Sequence, residues 1–120
     1  MSHLFVLDAW SPPSVNRLLA AHWATAARIK RAVKDQVAIA RLTATEPIPD
    51  ATGKRRVKIA VTVAGRSGMP DPDNVLKCLM DALKANRLIV DDSARWCEVG
   101  AVDVGRGKAR RTVIILEDIC

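Results

Sequence analysis

Val57, Ile59, Val61 and Val63 take every second position of their segment, with Lys58, Ala60, Thr62 and Ala64 between them. A period of two predicts a strand with one buried face. Two other segments follow the helical period. From Val15 to about Leu42, the residues Val15, Leu18, Leu19, Ala26, Ile29, Val33, Val37 and Ala40 fall on one arc at 100° per residue. Arg17, Arg28 and Arg31 take the far side, Lys30, Lys34 and Arg41 form a second basic stripe, and Ala20, Ala24, Ala27 and Ala38 leave a smooth face open to solvent, a helix or a second subunit. From about Pro72 to Ala85, Leu76, Leu79, Met80 and Leu83 make a core stripe. Asn86 is expected to end that helix in the left-handed conformation.

Shorter runs complete the order. His3 to Asp8 reads as a strand stopped by Pro12-Pro13, after which Ser14 caps the first helix. Thr43 to Lys54, with two prolines and a glycine, reads as a loop. Leu88-Ile89-Val90 is a short apolar strand or extended turn. Strands over about 95–104 and 111–116 flank Gly105-Arg106-Gly107-Lys108-Ala109-Arg110, which reads as a hairpin with a basic tip. The order β-α-β-α-β-β defines an α/β domain of the α+β type, a small mixed sheet covered by helices, and 120 residues make one domain, 1–120.

Composition narrows the function classes. The hydrophobic fraction of 49% suits a packed core rather than disorder. Aromatic residues are limited to Phe5, Trp10, Trp23 and Trp96, which disfavours a base-stacking platform. Cys78, Cys97 and Cys120 lack zinc-site spacing and read as thiols in a reducing compartment. No apolar run is long enough to span a membrane, so a soluble intracellular protein is expected. The net charge of +6 points to a polyanionic partner.

Against that positive background, residues 71–92 hold five acids (Asp71, Asp73, Asp81, Asp91, Asp92) and three bases (Lys77, Lys84, Arg87), a local charge of −2 that leaves +8 on the other 98 residues. Part of this has a plain structural reading. Asp71 is a good N-cap, Pro72 suits the first helical position, and acids favour the first turn of a helix. Lys77 and Asp81 can form an ordinary i,i+4 pair. The adjacent acids Asp91-Asp92 emerge directly from an apolar triplet, however, and carboxylate oxygens gathered in a basic protein suit a hard divalent cation working on phosphate.

The run Asp71-Pro72-Asp73-Asn74-Val75-Leu76-Lys77, then Asp81-Ala82-Leu83, then Asp91-Asp92, resembles the RusA family of Holliday junction resolvases, as does the opening Pro12-Pro13-Ser14-Val15-Asn16. One departure is Asn86-Arg87, where many relatives have glycine. The resemblance implies Mg²⁺-dependent cutting of branched DNA in recombination and repair, by a homodimer with two matching sites, encoded by a bacterium or phage and acting in the cytoplasm. It implies Asp71, Asp73 and Asp92 as metal ligands and Lys77 as the catalytic lysine. Asp91 stays open between ligating, orienting a ligand and capping its turn. Asn74, Asp81 and Asn16 are placed in supporting or structural roles. No small-molecule cofactor and no nucleophilic side chain is expected: Ser67 and Ser93 lack a histidine base, and His22 falls on the apolar arc. Arg66, Arg106, Lys108, Arg110 and Arg111 are candidate DNA contacts, with Lys54, Arg55 and Arg56 as a second cluster, and each is equally a solvated loop charge. Competing readings are a non-catalytic junction-binding protein of the same fold, a metal-independent DNA-binding protein, and another Mg²⁺ phosphotransferase or phosphatase.

Overall fold

The computed structural model of the chain describes residues 1–13, 23–65 and 68–119. The expected helix start at Ser14-Val15, together with Asn16 and His22, lies outside the described residues, as do Arg66, Ser67 and Cys120. The elements are β1 (Ser2–Asp8), α1 (Trp23–Leu42), β2 (Arg55–Ala64), α2 (Pro72–Ala85), β3 (Cys97–Gly107) and β4 (Arg111–Asp118). This is the expected order, and the expected α+β class with a small mixed sheet holds.

The four strands lie in the order β1-β4-β2-β3. β4 is antiparallel to β1 and to β2, whereas β2 and β3 are parallel. A parallel pair requires a long crossover, and α2 lies within it. The alternation read in β2 is realised: Val57, Ile59, Val61 and Val63 are buried with Phe5, Leu7, Ile114 and Leu116. They form one core with Val33, Val37 and Ala40 of α1 and Val75, Leu79 and Leu83 of α2. Truncating a fully buried leucine such as Leu79 costs about 3 kcal/mol, through reduced burial and the cavity left behind.

Three expectations are corrected. The 105–110 segment is not a hairpin, because β2 runs between β3 and β4. Gly107 pairs with Ala64 and Arg111 with Thr62, so residues 108–110 step across the end of β2. Two strand spacings are about 9.6 Å, within the roughly 13 Å reach of four residue steps. The left-handed residue after α2 is Arg87 (φ 61°); Asn86 has φ −91°. Asn86 instead spends its side chain on two carbonyls, donating from Nδ2 to Ala82 O at 2.9 Å and Lys34 O at 3.1 Å. Finally, Leu88-Ile89-Val90 is a bent segment, with Leu88 and Ile89 buried.

Arg55 anchors that bend, and Arg41 holds the segments beside it. Arg55, only 2% exposed, donates from Nη1 to Leu88 O at 2.8 Å, from Nη2 to Pro49 O at 3.0 Å and from Nε to Asp118 Oδ1 at 2.7 Å. Arg41 donates to Ile48 O, Asn86 O and Asp50 Oδ1. Arg41 is therefore committed to the loops rather than to an open basic stripe. Neither guanidinium can lose its charge, and the planar fork suits several acceptors at once. Among the described residues, no helix is long and apolar enough to cross a membrane.

Candidate functional site

α2 begins as its sequence predicts. Asp71 is the N-cap in extended conformation, its Oδ1 accepting the backbone N–H of Asp73 at 2.9 Å, and Pro72 opens the helix. The buried stripe is Val75, Leu79, Met80, Ala82 and Leu83, with Leu76 half-buried. That burial leaves Asp73, Lys77, Asp81 and Lys84 exposed along the neighbouring stripe. Lys77 follows Asp73 by one turn, about 6 Å of rise.

The chain then returns to β3 through the bend pinned by Arg55, and Asp91-Asp92 follows it. Asp91 lies in this turn, its Oδ1 accepting from Lys84 Nζ at 2.9 Å, and the neighbouring Asp92 backbone N–H and Ser93 side chain also favour its charged form. The Lys84 contact leads the causes that lower the Asp91 carboxyl to about 2. Lys84 is raised from its ordinary value, chiefly by its hydrogen bond to Asp91, with the charges of Asp92 and Asp81 adding to it. Ser93 O in turn accepts the backbone N–H groups of Trp96 and Cys97, which closes the turn onto β3.

Asp92, Lys77 and Asp81 line one cleft of about 390 Å³ between α2 and β3, with Leu76, Met80 and Val99 as its apolar part. Asp71 and Asp73 stand together at the helix start, while Asp92 stands with Lys77 and Asp81. Asp71, Asp73, Asp81, Asp92 and Lys77 form no ion pair with any described residue.

Among the described residues, no three carboxylate, imidazole or thiol groups come close enough to enclose an ion. A closed carboxylate cage is therefore not what this arrangement offers. The donor set nonetheless suits magnesium in kind: hard, exposed carboxylates that form no ion pair with any described residue. Magnesium commonly binds one or two carboxylates and completes its shell with water and substrate phosphate. The thiols do not compete for such a role. Burial, followed by the charge of Asp81, pushes Cys78 up to about 11, and burial likewise raises Cys97.

The candidate DNA contacts divide. Arg106 donates to Gly65 O and Arg110 to Ala9 O at 3.1 Å, while Arg111 Nε lies 3.9 Å from Asp8 Oδ1. With Lys108 these side chains are exposed around the link that crosses the end of β2. Of the second cluster, Arg55 is internal, and Arg56 pairs with Glu98 at 3.2 Å and Glu117 at 3.3 Å. The structural role of Arg55 has a signal in the sequence: it shares the parity of Val57 and Ile59, which places it on the inward face. Lys84 gives less warning, since nothing in its spacing to Asp91 announces the contact.

The structure is an α+β domain, a four-stranded mixed sheet with an exposed acid-and-lysine stripe on α2 beside a carboxylate-bearing turn. The sequence model described as endodeoxyribonuclease RusA matches residues 9–117, and the chain belongs to that family, a family of Holliday junction endodeoxyribonucleases that bind branched DNA. No curated protein matches the chain closely enough to count as a relative.

Proposed function

We propose that this protein is a magnesium-dependent endodeoxyribonuclease that resolves Holliday junctions by paired phosphodiester hydrolysis in recombination and repair, working as a homodimer. The observation that carries the reading is the shared cleft of Lys77 and Asp92, in a chain matched to the family over residues 9–117.

Asp71, Asp73 and Asp92 are the carboxylates that would serve magnesium, one or two to an ion, with water and the DNA phosphate completing its shell. Bound there, the ion supplies Lewis acidity and activates water for attack on the phosphodiester. The protein's own contributions are distinct. The α2 cap fixes Asp71 and, through the Asp73 backbone N–H, the first turn that carries Asp73. The Lys84–Asp91 contact and the Ser93 turn fix the backbone on either side of Asp92. Lys77, on the cleft wall and without an ion pair to any described residue, draws in the scissile phosphate and offsets charge that builds on its oxygens and on the leaving oxygen. The apolar side chains Leu76, Met80 and Val99 displace water from one side of that charge and so strengthen its interaction with Lys77. Two cuts across a four-way junction call for two equivalent sites, which an isologous dimer supplies.

The test is incubation with synthetic four-way junctions, with Mg²⁺ or with chelator. Symmetric paired nicks that require the metal are expected. Tight junction binding with no nicks at any metal concentration would assign the chain to a binding role instead.

A further inference from the structure

A groove of about 430 Å³ lies between α1 and α2. Its α1 wall carries Lys30, Arg31 and Lys34, and its α2 wall carries Asn74, Lys77 and Asp81. Four cations therefore face one carboxylate. The three from α1 are exposed and form no ion pair with any described residue. The contrast with other basic side chains is informative: Arg41, Arg55, Arg56, Lys58 and Lys84 each hold a carboxylate within 3.3 Å. Among the described residues, cations without a carboxylate partner gather in this groove and on the basic link after β3, with Arg28, Lys54 and Arg95 standing elsewhere.

The groove leads directly to the cleft described above, because Lys77 and Asp81 line both. Its walls are also held at a fixed separation. Asn86 Nδ2, at the end of α2, donates to Lys34 O on α1 and to Ala82 O on α2. Between the walls, Ile29, Val33, Cys78 and Ala82 make an apolar floor. A row of cations above such a floor matches a nucleic-acid strand, whose phosphates alternate with the carbon faces of its sugars.

We infer that the α1–α2 groove carries the backbone of one DNA strand toward the cutting site, with Lys30, Arg31 and Lys34 contacting successive phosphates next to the one held at Lys77. This rests on the proposed nuclease reading and extends it to residues outside the acid motif. These side chains position the strand; they do not touch the reacting atoms. Phosphate contacts of this kind set register without reading sequence.

The test measures junction affinity in chelator across a salt series, for the wild-type protein and for Lys30→Gln/Arg31→Gln/Lys34→Gln. The positions are exposed on a helix, and thermal melting checks that the variant folds. Removing one phosphate-binding cation reduces the slope of log K against log salt by about 0.9 on duplex and about 0.7 on a single strand. The triple variant is expected to lower the slope by about 2 and to weaken binding at least about tenfold at moderate salt. Single Lys34→Gln should lower the slope by about one phosphate's worth, whereas Lys58→Gln, a charge already paired with Glu117 at 2.8 Å, should not. If the triple variant does not fold, that pair of single variants decides the matter. An unchanged slope while the wild-type protein still binds and cuts junctions overturns the groove assignment and leaves the nuclease reading intact. An unchanged slope with a change in oligomeric mass overturns it in favour of a subunit contact. A wild-type protein that neither binds nor cuts junctions sinks both.

Discussion

Lys84 Nζ lies 2.9 Å from Asp91 Oδ1. That contact engages Asp91, the acid whose role the resemblance leaves open, and leaves Asp92 on the cleft wall. Asp92→Asn should therefore lose cleavage by about 10²-fold or more, the scale seen when a group serving the transition state is removed. Asp91→Asn should lose much less, and Lys84→Met should resemble Asp91→Asn. Single-turnover cleavage of a four-way junction ranks the three. Equal losses at both acids would mean that the pairing does not divide their roles.

The same contact has a pH signature. The Asp91 carboxyl is lowered from 3.8 to about 2 on folding. A lowered carboxyl stabilises the fold above its ordinary value, and that contribution fades as pH falls from about 4 toward 2. Lys84, raised from 10.5, contributes below that value and loses its share as pH climbs past it. The Tm gap between wild type and Lys84→Met should be small, as for any exposed pair. It should be constant between about pH 5 and pH 9, and close as pH falls toward 2. A gap that instead widens toward acid would show that Lys84 acts through a different group.

Asp71 caps α2 and is also a proposed metal ligand, and substitution can separate the two roles. Its side chain caps α2 through the Asp73 N–H at 2.9 Å, a task serine performs about equally well, while alanine costs about 1 kcal/mol. Asp71→Ser should keep a near-native Tm yet lose cleavage, and Asp71→Ala should lose both. If Asp71→Ser retains wild-type cleavage, its carboxylate is a cap and nothing more, and the metal set contracts to Asp73 and Asp92.

Local chemistry explains which parts of this fold are legible in the sequence. α2 is readable to the residue because Asp71, Pro72 and a regular apolar stripe all report on neighbours within one turn. The alternation of β2 is readable because its inner face is fully buried. Strand order is not: a three-residue link after a glycine looks the same whether the next strand lies adjacent or one place further on, and only the parallel β2–β3 pairing, made through α2, fills the intervening slot. Arg55 reads as a surface charge because arginine is usually one. Its three acceptors, Pro49 O, Leu88 O and Asp118, come from three separate segments of the chain. In the site, the motif spacing nominates Asp71, Asp73, Lys77 and Asp92, whereas the pairing of Asp91 with Lys84 is a contact that spacing does not encode.

Gly107 offers a test of the β3–β4 step. A Cβ there would lie 2.7 Å from Thr62 Cγ2, too close for ordinary contact, and the β-branched threonine has little rotamer freedom to yield. Gly107→Ala should lower stability by about 1–2 kcal/mol, the usual range for overpacking. Thr62→Ser removes the offending methyl, so the double variant should regain most of that loss. Chemical denaturation of the four proteins gives the coupling directly. Additive effects would mean that the two residues are not in contact and that the link crosses β2 elsewhere.

Arg55 provides the most demanding check on how the fold supports the site. It is buried, and its guanidinium satisfies Leu88 O at 2.8 Å and Pro49 O at 3.0 Å while pairing with Asp118 at 2.7 Å. Arg55→Lys keeps a charge but cannot reach three acceptors in one plane. Carbonyls left without donors cost about 1–3 kcal/mol each when buried. The substitution should therefore destabilise by about 3 kcal/mol and lower Tm by roughly 10 °C or more for a domain of this size. Arg56, its exposed neighbour, should change little as Arg56→Gln. Because Leu88 starts the bend that delivers Asp92, Arg55→Lys should also show faster amide exchange across residues 88–93 at temperatures where the protein remains folded. Arg55 pins the bend only if that local loosening accompanies the fall in Tm; a fall in Tm with unchanged exchange there would make it a general support of the sheet, with no special hold on the turn that carries Asp92.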